Sequence, residues 1–198
     1  DGEGRRAAAS IVRMTETETT LSVGVPEAIV SAPPHITVLL PLIKGDRMDT
    51  ALEKLVEVGV DSILVWPAQR SVVKLESDRR ASRIAKYEAA LAAAARQSGR
   101  AAIPTVRWMD TLALAISSSA NTDARLVLDP TSDTPLDRAL AHGDRVAFCS
   151  GPEGGLAPAE LEQLIAAGFS GVSLGPRVLR AETAPVAAVS IVRALTHS

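Results

Sequence analysis

The stretch VAFCSGPEGGL, residues 146–156, and the stretch VSLGPRVLR, residues 172–180, share one pattern. In each, a short apolar run leads into a glycine-containing turn, and a segment with helical spacing follows (Pro158–Ala167 and Glu182–Leu195). Glycine lets backbone groups approach a ligand closely, and open parallel sheets bind ligands at the carboxyl ends of their strands. The two turns therefore predict two walls of one ligand site. Neither has the G-x-G-x-x-G or G-K-[ST] pattern of phosphate-binding loops, so we expect a small ligand held by backbone groups.

Strand-like and helix-like segments alternate from residue 36 onward, which predicts an α/β fold with a parallel sheet and helices on both faces. The predicted strands are Ile36–Leu42, Ser62–Trp66, Thr105–Trp108, Leu126–Leu128, Val146–Ser150 and Val172–Leu174. The predicted helices are Met48–Val58, Asp78–Ser98, Thr111–Ser118, Leu136–Ala141, Pro158–Ala167 and Glu182–Leu195. Before them, Ser10–Met14 and Thr19–Val25 are predicted strands, no helix is expected before residue 46, and Pro33-Pro34 is a predicted linker.

Length and composition are typical of a globular protein. The 198 residues can form one domain and a small piece of a second, and 46% of them are hydrophobic. No apolar run approaches the ~20 residues of a membrane span, so we expect no membrane association. The single cysteine, Cys149, excludes an intramolecular disulfide, suits a reducing cytoplasm and is expected to be a small buried apolar residue.

Charge is distributed unevenly along the chain. The net charge is −2, yet residues 70–107 contain nine basic and three acidic side chains, while the rest of the chain contains 12 basic and 20 acidic ones. A local excess of positive charge is the electrostatic pattern of a surface that contacts a phosphate backbone. It also fits a solvated helix face, and the sequence alone leaves these two interpretations equal.

Several motifs in fixed order resemble one known family. They are SGPEGGL (150–156), LGPRVLRAETA (174–184), KGDRM (44–48), KLVEVGV (54–60), RSVVK (70–74) and QSGR (97–100). This series is similar to the ribosomal small subunit methyltransferase E family of the SPOUT superfamily, over roughly residue 36 to the C-terminus. The chain departs from the family pattern at Arg96, where an acidic residue is usual, and at Ala181, where threonine is usual.

The resemblance implies a fold, a reaction and partners. Members use S-adenosylmethionine to methylate N3 of a uridine in 16S rRNA, and their C-terminal chain forms a deep trefoil knot. We therefore expect residues 33–198 to form a SPOUT-type domain, a parallel sheet with this knot. Residues 1–32 are expected to form part of a PUA-like β-barrel whose first strands are missing. A cytoplasmic homodimer that acts on 16S rRNA, within the assembled small ribosomal subunit, is also implied.

The resemblance also suggests where the ligands bind. The expected cofactor site comprises Leu128, Asp129, Gly151, Pro152, Glu153, Gly154, Gly155, Leu174, Gly175, Leu179 and Ala184. The expected RNA contacts are Arg47, Arg70, Arg79, Arg80, Arg83 and Arg100. For the glycines the alternative is an ordinary turn, and for the arginines it is a surface ion pair.

Methylation of uridine N3 requires removal of a weakly acidic proton. A general base or a fixed cation beside the developing charge could assist. Arg180 is the candidate cation, and Glu182 could orient it or instead satisfy free N–H groups at the start of a helix. None of the three histidines (His35, His142 and His197) is well placed as a base, and no metal-ligand spacing occurs, so we expect no metal and leave the base unidentified.

Two other functions remain open. SPOUT ribose 2′-O-methyltransferases typically end their site with Ser-Leu-Asn, whereas this chain has LRAETA at 179–184, a difference that favours methylation of a base. The second alternative is a non-catalytic ribosome-assembly factor that binds RNA without turnover.

Overall fold

A six-stranded, wholly parallel sheet forms the centre of the molecule. The computed structural model describes residues 2–29, 31–140 and 143–196. The sheet strands are β5 (His35–Pro41), β6 (Ser62–Trp66), β7 (Thr105–Trp108), β8 (Ala124–Leu128), β9 (Arg145–Cys149) and β10 (Ser170–Val172). Their order is β10-β8-β9-β5-β6-β7, which places β5 and β9 in the middle. The prediction of a parallel α/β sheet is confirmed.

Six helices follow the strands. They are α1 (Asp46–Glu57), α2 (Arg80–Gln97, preceded by a 3₁₀ turn at Ser77–Arg79), α3 (Leu112–Ser118), α4 (Leu136–Ala139), α5 (Pro158–Ala166) and α6 (Thr183–Thr196). Each predicted helix and strand is present, with ends that differ by a few residues. The predicted end of one helix at Ala141 lies outside the described residues.

The two faces of the sheet carry separate layers of core. On one face, side chains such as Val38, Leu40 and Val65 pack with α1, α2 and α6. On the other face, side chains such as Leu39 and Leu64 pack with α3 and α5. Strands buried on both faces have continuous apolar sequences, which is why β5 and β6 were recognisable without alternation. Cys149 lies in the second layer, fully buried as expected, and burial raises the pKa of its thiol.

The N-terminal segment forms two small antiparallel ribbons. These are β1 (Arg5–Arg6) with β4 (Glu27–Ala28), and β2 (Ala9–Met14) with β3 (Thr19–Val23). The β2–β3 ribbon is exposed along its whole length, including apolar side chains such as Ile11 and Val23. Backbone hydrogen bonds join the segment to the loop after α2, including Gly4 N to Ala101 O at 3.1 Å.

A buried charge cluster joins the predicted linker to the last helix. Arg193 on α6 donates to the carbonyl oxygens of Ala32 (3.1 Å), Pro34 (2.8 Å) and Gly59 (3.0 Å), and pairs with Asp61 at 2.7 Å. The second oxygen of Asp61 lies 3.4 Å from Arg100. The side chains of Asp61 and Arg193 are only 12% and 14% exposed. These contacts hold the linker against the end of α1 and against α6.

Candidate functional site

A cavity of about 570 Å³ opens at the carboxyl ends of β8, β9 and β10. Its walls come from the segment after β8, from the loop at residues 150–156 after β9, and from the loop at residues 174–181 between β10 and α6. Ten of the eleven expected cofactor residues line it: Leu128, Asp129, Gly151, Pro152, Glu153, Gly155, Leu174, Gly175, Leu179 and Ala184. The structure thus brings both glycine loops to one concave site of a size usual for small-molecule binding.

Backbone geometry explains the glycines at two of these positions. Gly155 has φ +69° and Gly175 has φ +113°, in the left-handed region that side chains with a Cβ rarely adopt. A Cβ built on either residue would meet no atom within 4 Å. Both glycines line the cavity, so the absence of a side chain leaves open space at its wall.

Gly154 is the expected cofactor residue that does not line the cavity. A Cβ there would come 3.0 Å from the Cβ of Arg70 and 3.2 Å from its carbonyl oxygen. Arg70 in turn donates to the carbonyl oxygens of Gly154 (3.3 Å) and Leu156 (3.2 Å). Arg70, an expected RNA contact, therefore braces the back of the 150–156 loop in this structure.

Glu153 connects that loop to the start of α1. Its Oε1 accepts a hydrogen bond from the backbone N of Lys44 at 3.2 Å and lies 3.7 Å from Nη1 of Arg47. The Glu153 side chain is 18% exposed, whereas Arg47 is half exposed and lines the cavity. Arg47, an expected RNA contact, is therefore also a residue of the cavity wall.

Arg180 and Glu182 lie at the entrance to α6. The Arg180 side chain is 78% exposed, lines the cavity, and approaches Glu182 only to 3.9 Å. Glu182 is 12% exposed, and its Oε2 has no hydrogen-bond partner among the described residues. The backbone N–H groups of Thr183 and Ala184 bond to the Arg180 carbonyl rather than to the Glu182 carboxylate. In this structure the Glu182 carboxylate therefore does not cap the helix.

Eight further residues that were not among the expected cofactor residues also line the cavity, and most of them belong to the stretches 146–156 and 172–180. Pro130, Ser150, Leu156, Leu161, Val172, Arg177, Val178 and Ala181 also contribute to its walls. Among the described residues the buried Ser150 Oγ and Glu153 Oε2 have no hydrogen-bond partner. A polar atom buried without a partner is costly unless a ligand or water satisfies it. Burial of this kind is invisible in a sequence, so no motif could have signalled it.

The arginines of the basic segment differ in their surroundings. Arg79 and Arg83 are exposed, as expected for a surface that contacts phosphate. Arg80 pairs with Asp110 and lies 5.4 Å over the ring of Trp108. The Arg100 side chain, another expected RNA contact, is mostly buried. Its guanidinium is 18% exposed and donates to the Val56 carbonyl at 3.1 Å, and burial lowers its pKa despite the neighbouring Asp61.

The described residues contain neither a metal site nor a membrane-spanning helix. Among residues 2–29, 31–140 and 143–196, no group of three or more His, Cys, Asp and Glu side chains is arranged to hold a metal ion. In the same part of the chain, no helix has both the length and the apolar character needed to cross a membrane. His142 and His197 lie outside the described residues, and His35 is exposed at the start of β5.

Known proteins resemble this chain over most of its length. Ribosomal RNA small subunit methyltransferase E of Mycobacterium bovis is 34% identical over 82% of this chain, and that of Bacillus subtilis is 30% identical over 75%. The aligned regions span 64% and 61% of those relatives, so the chain covers less than two thirds of their length.

Solved structures match the fold closely. A putative methyltransferase from Legionella pneumophila, in complex with the cofactor SAM, has a TM-score of 0.87 at 28% identity, over 98% of this chain and 81% of that one. Ribosomal RNA small subunit methyltransferase E from Neisseria gonorrhoeae, bound to S-adenosyl methionine, has a TM-score of 0.84 at 29% identity, with the same coverage.

A family model also matches residues 31–193, from the linker to the last turns of α6, and its description is "RNA methyltransferase domain". The matched range contains the sheet and both cavity loops. The resemblance found in the sequence motifs is confirmed, and the chain belongs to the RNA methyltransferase domain family.

Proposed function

We propose that this chain transfers a methyl group from S-adenosylmethionine to N3 of a uridine in 16S rRNA. The observation that carries the proposal is the cavity between the two glycine loops, because it joins ten of the eleven residues expected at the cofactor to an exposed arginine. The names of the relatives and the bound cofactor of the two matched structures support it.

The residues present fit this cofactor. Apolar walls, including Leu128, Leu156 and Leu174, suit an adenine ring, and glycine backbone at 151, 155 and 175 allows close contact with ribose and methionine groups. The unpaired Ser150 Oγ and Glu153 Oε2 offer hydrogen-bonding capacity for the polar groups of the ligand. When bound, the cofactor supplies an electrophilic methyl group on a sulfonium. The protein must then position the uridine, which by itself can supply much of a rate enhancement.

Arg180 is the residue we assign to the chemistry. Its guanidinium is largely free of protein partners at 78% exposure, so it can turn toward a base that enters the cavity mouth. A fixed cation next to O2 or O4 of uracil stabilises the anion that forms when N3 loses its proton. Glu182, which is mostly buried and 3.9 Å from Arg180, is assigned the role of orienting that guanidinium. The general base is not among the residues we assign.

We assign contact with RNA to basic side chains that are exposed or that line the cavity rim. Arg79 and Arg83 are exposed at the start of α2 and can contact phosphates. Arg47 stands at the cavity rim, where a nucleotide next to the target uridine would pass. Arg70, Arg80 and Arg100 are already engaged within the protein.

The finer architecture is also part of the proposal. We assign residues 33–198 to a SPOUT-type domain whose C-terminal loops form a trefoil knot, and residues 1–32 to part of a PUA-like barrel. The exposed apolar side chains of the β2–β3 ribbon support the second assignment, because such a surface suits further strands. We also propose a cytoplasmic homodimer that acts on the assembled small subunit.

Mass-spectrometric nucleoside analysis tests the reaction. Purified protein, labelled S-adenosylmethionine and small ribosomal subunits should yield 3-methyluridine in 16S rRNA. Methylation of a ribose 2′-oxygen would instead identify the other SPOUT activity. Binding of the cofactor without any transfer would identify a non-catalytic assembly factor. Absence of cofactor binding by calorimetry would contradict the assignment of the cavity.

A further inference from the structure

A second, smaller pocket lies at the other end of the strands from the cofactor cavity, beside the amino ends of the central strands. Its volume is about 190 Å³. It is lined by His35 and Thr37 of β5, Ser62 and Leu64 of β6, Arg107 of β7, Arg145 of β9, and Ser118, Ser119, Asn121 and Thr122 after α3. The strands are five to seven residues long, so this pocket lies roughly 20 Å from the cofactor cavity at about 3.3 Å per residue.

The polar side chains that line this pocket share one face of the sheet with apolar side chains further along the same strands. Side chains two residues apart in a strand share one face of the sheet. The face that presents Thr37, Ser62 and Arg145 at this edge presents Leu39, Leu64 and Ala147 next, all of which are buried beneath α3 and α5. The covering helix α3 ends at Ser118, and the pocket lies where that cover stops.

The pocket has hydrogen-bond donors that the protein does not use. Among the residues the structure describes, neither Arg107 nor Arg145 has a hydrogen bond or ion pair through its guanidinium, and no Asp or Glu is in the lining. The carboxylate of Asp123 accepts from the backbone N of Arg145 at 2.9 Å rather than from its guanidinium. Thr105 Oγ1 donates to Ser62 Oγ at 3.0 Å, which leaves the Ser62 hydroxyl hydrogen free to donate into the pocket.

The loop that closes the pocket is held in place. Arg125 donates to the carbonyl oxygens of Ala120 and Ala167, and its Nε reaches Thr122 Oγ1 at 3.4 Å. Thr122 also donates to the Ser119 carbonyl at 2.9 Å. The wall at residues 118–122 is therefore positioned by hydrogen bonds within the protein.

Two features near the pocket oppose a negative ligand: the C-terminal end of α3 and the Asp123 carboxylate, which accepts from the Arg145 backbone N. A helix end carries about half of an elementary negative charge, and the last carbonyls of this short helix are already capped by the N–H of Ser119. The two guanidinium groups in the lining carry two full positive charges, against this partial charge and the single carboxylate of Asp123 beside the pocket. The charged groups at the pocket therefore favour an anion.

We propose that this pocket binds a phosphate-type anion through Arg107, Arg145 and the Ser62 hydroxyl, separately from the cofactor cavity. Planar guanidinium groups match the geometry of phosphate oxygens and bind them with paired hydrogen bonds. The anion is either a backbone phosphate of RNA or a phosphate of a small molecule. An RNA phosphate at this edge would place nucleic acid against the amino ends of the strands as well as near the cavity.

The first experiment uses pyrophosphate as the probe. Calorimetry of the full chain in low salt should detect binding, and affinity should fall about tenfold or more in the Arg107→Ala/Arg145→Ala variant, since each substitution removes charge-assisted bonds. Arg138→Glu, at an exposed arginine on α4, changes the net charge by the same amount and should leave the affinity unchanged. S-adenosylmethionine affinity should be unchanged in both variants, which separates this site from the cavity.

The second experiment identifies the source of the phosphate. Affinity for a uridine-rich RNA oligonucleotide is measured over a series of salt concentrations. If RNA occupies the pocket, the double variant should lower the slope of log affinity against log salt by about 0.7 for each RNA phosphate that the pocket no longer binds. An unchanged slope together with loss of pyrophosphate binding identifies a small-molecule phosphate. If both measurements match the Arg138→Glu control, the proposal is wrong.

Discussion

Gly155 tests the cofactor cavity at the scale of one residue. Valine there would strain a backbone with φ +69°, so Gly155→Asn is the cleaner change, because asparagine tolerates left-handed backbone. Its side chain would meet no protein atom within 4 Å of the Cβ and would occupy cavity space. We expect the affinity for S-adenosylmethionine, measured by calorimetry, to fall at least about tenfold.

Gly99 offers a matched control for that experiment. It has φ +70°, and a Cβ there also meets no atom within 4 Å, but it lies after α2, outside the cavity. Gly99→Asn should strain the backbone to the same extent as Gly155→Asn and leave the affinity for the cofactor unchanged. Equal affinities in the two variants would remove the 150–156 loop from the site.

Arg180 tests the chemistry. If its guanidinium stabilises charge that develops only in the transition state, Arg180→Ala should lower the single-turnover rate at saturating cofactor by about 10²-fold or more. Cofactor affinity and thermal stability should change little, since the side chain is 78% exposed and its one contact, with Glu182, is long. Arg180→Lys should restore little of the rate, because an ammonium lacks the planar fork. A folded alanine variant with a normal rate would contradict the assignment.

The contacts between α6, the linker and the end of α1 depend on Asp61. Asp61 accepts from Ile36 N at 2.8 Å as well as from Arg100 and Arg193, and all three charged side chains are less than a fifth exposed. Asp61→Ala leaves two buried cations without their carboxylate, so we expect a loss of about 3–5 kcal/mol in unfolding free energy by denaturant titration.

An exposed ion pair provides the comparison for Asp61. Asp49 and Lys86 lie 2.8 Å apart between α1 and α2, with side chains 40% and 56% exposed. Because solvent screens such pairs, Asp49→Ala should lower the free energy of unfolding by about 0–1 kcal/mol. If Asp61→Ala lowers the free energy of unfolding by no more than that, the buried cluster does not hold α6, the linker and the end of α1 together.

Neighbouring arginines at the start of α2 are predicted to serve different purposes, some in RNA binding and one in stability. Arg79→Ala/Arg83→Ala should weaken RNA binding and lower its salt slope by about 0.7–0.9 for each phosphate that is no longer neutralised, with unchanged cofactor affinity. Arg80→Ala should instead lower the melting temperature, because Arg80 pairs with Asp110 and stacks on Trp108. Filter-binding assays over a salt series and thermal unfolding measure the two effects. An unchanged slope in the double variant would exclude this surface.

Dimer formation is a prediction about the whole molecule. Helix α6 buries Ala188, Val189 and Val192 within its own chain, so part of its apolar surface is already accounted for. Val178 in the cavity loop remains 81% exposed and Leu195 is 50% exposed. We expect light scattering at micromolar concentration to give twice the monomer mass. A monomer under these conditions would contradict the homodimer.

Some of this architecture was readable in the sequence, and some was not. The strands β5, β6 and β9 are apolar runs because both of their faces are buried, so their positions were evident. The sheet order was not, because apolar runs do not specify which strands are neighbours. The cavity glycines were found from local pattern, whereas the hydrogen bonds of Arg70 and Arg100 within the protein were not. Their partners, Gly154 and Val60, are distant in sequence, and composition cannot show which arginines bond to carbonyl oxygens of the same chain.

The place of β5 at the centre of the sheet has a consequence for synthesis on the ribosome. One edge of β5 pairs with β6, which emerges soon after it, but the other edge pairs with β9, from His35 with Arg145 to Leu39 with Cys149. Throughout the synthesis of the intervening chain, the backbone N–H and C=O groups along that edge have no partner strand. Unpaired edges of this kind can join the wrong strand. The half-made chain is therefore the species most prone to aggregate, and most of the polypeptide must be made before its central strand is enclosed.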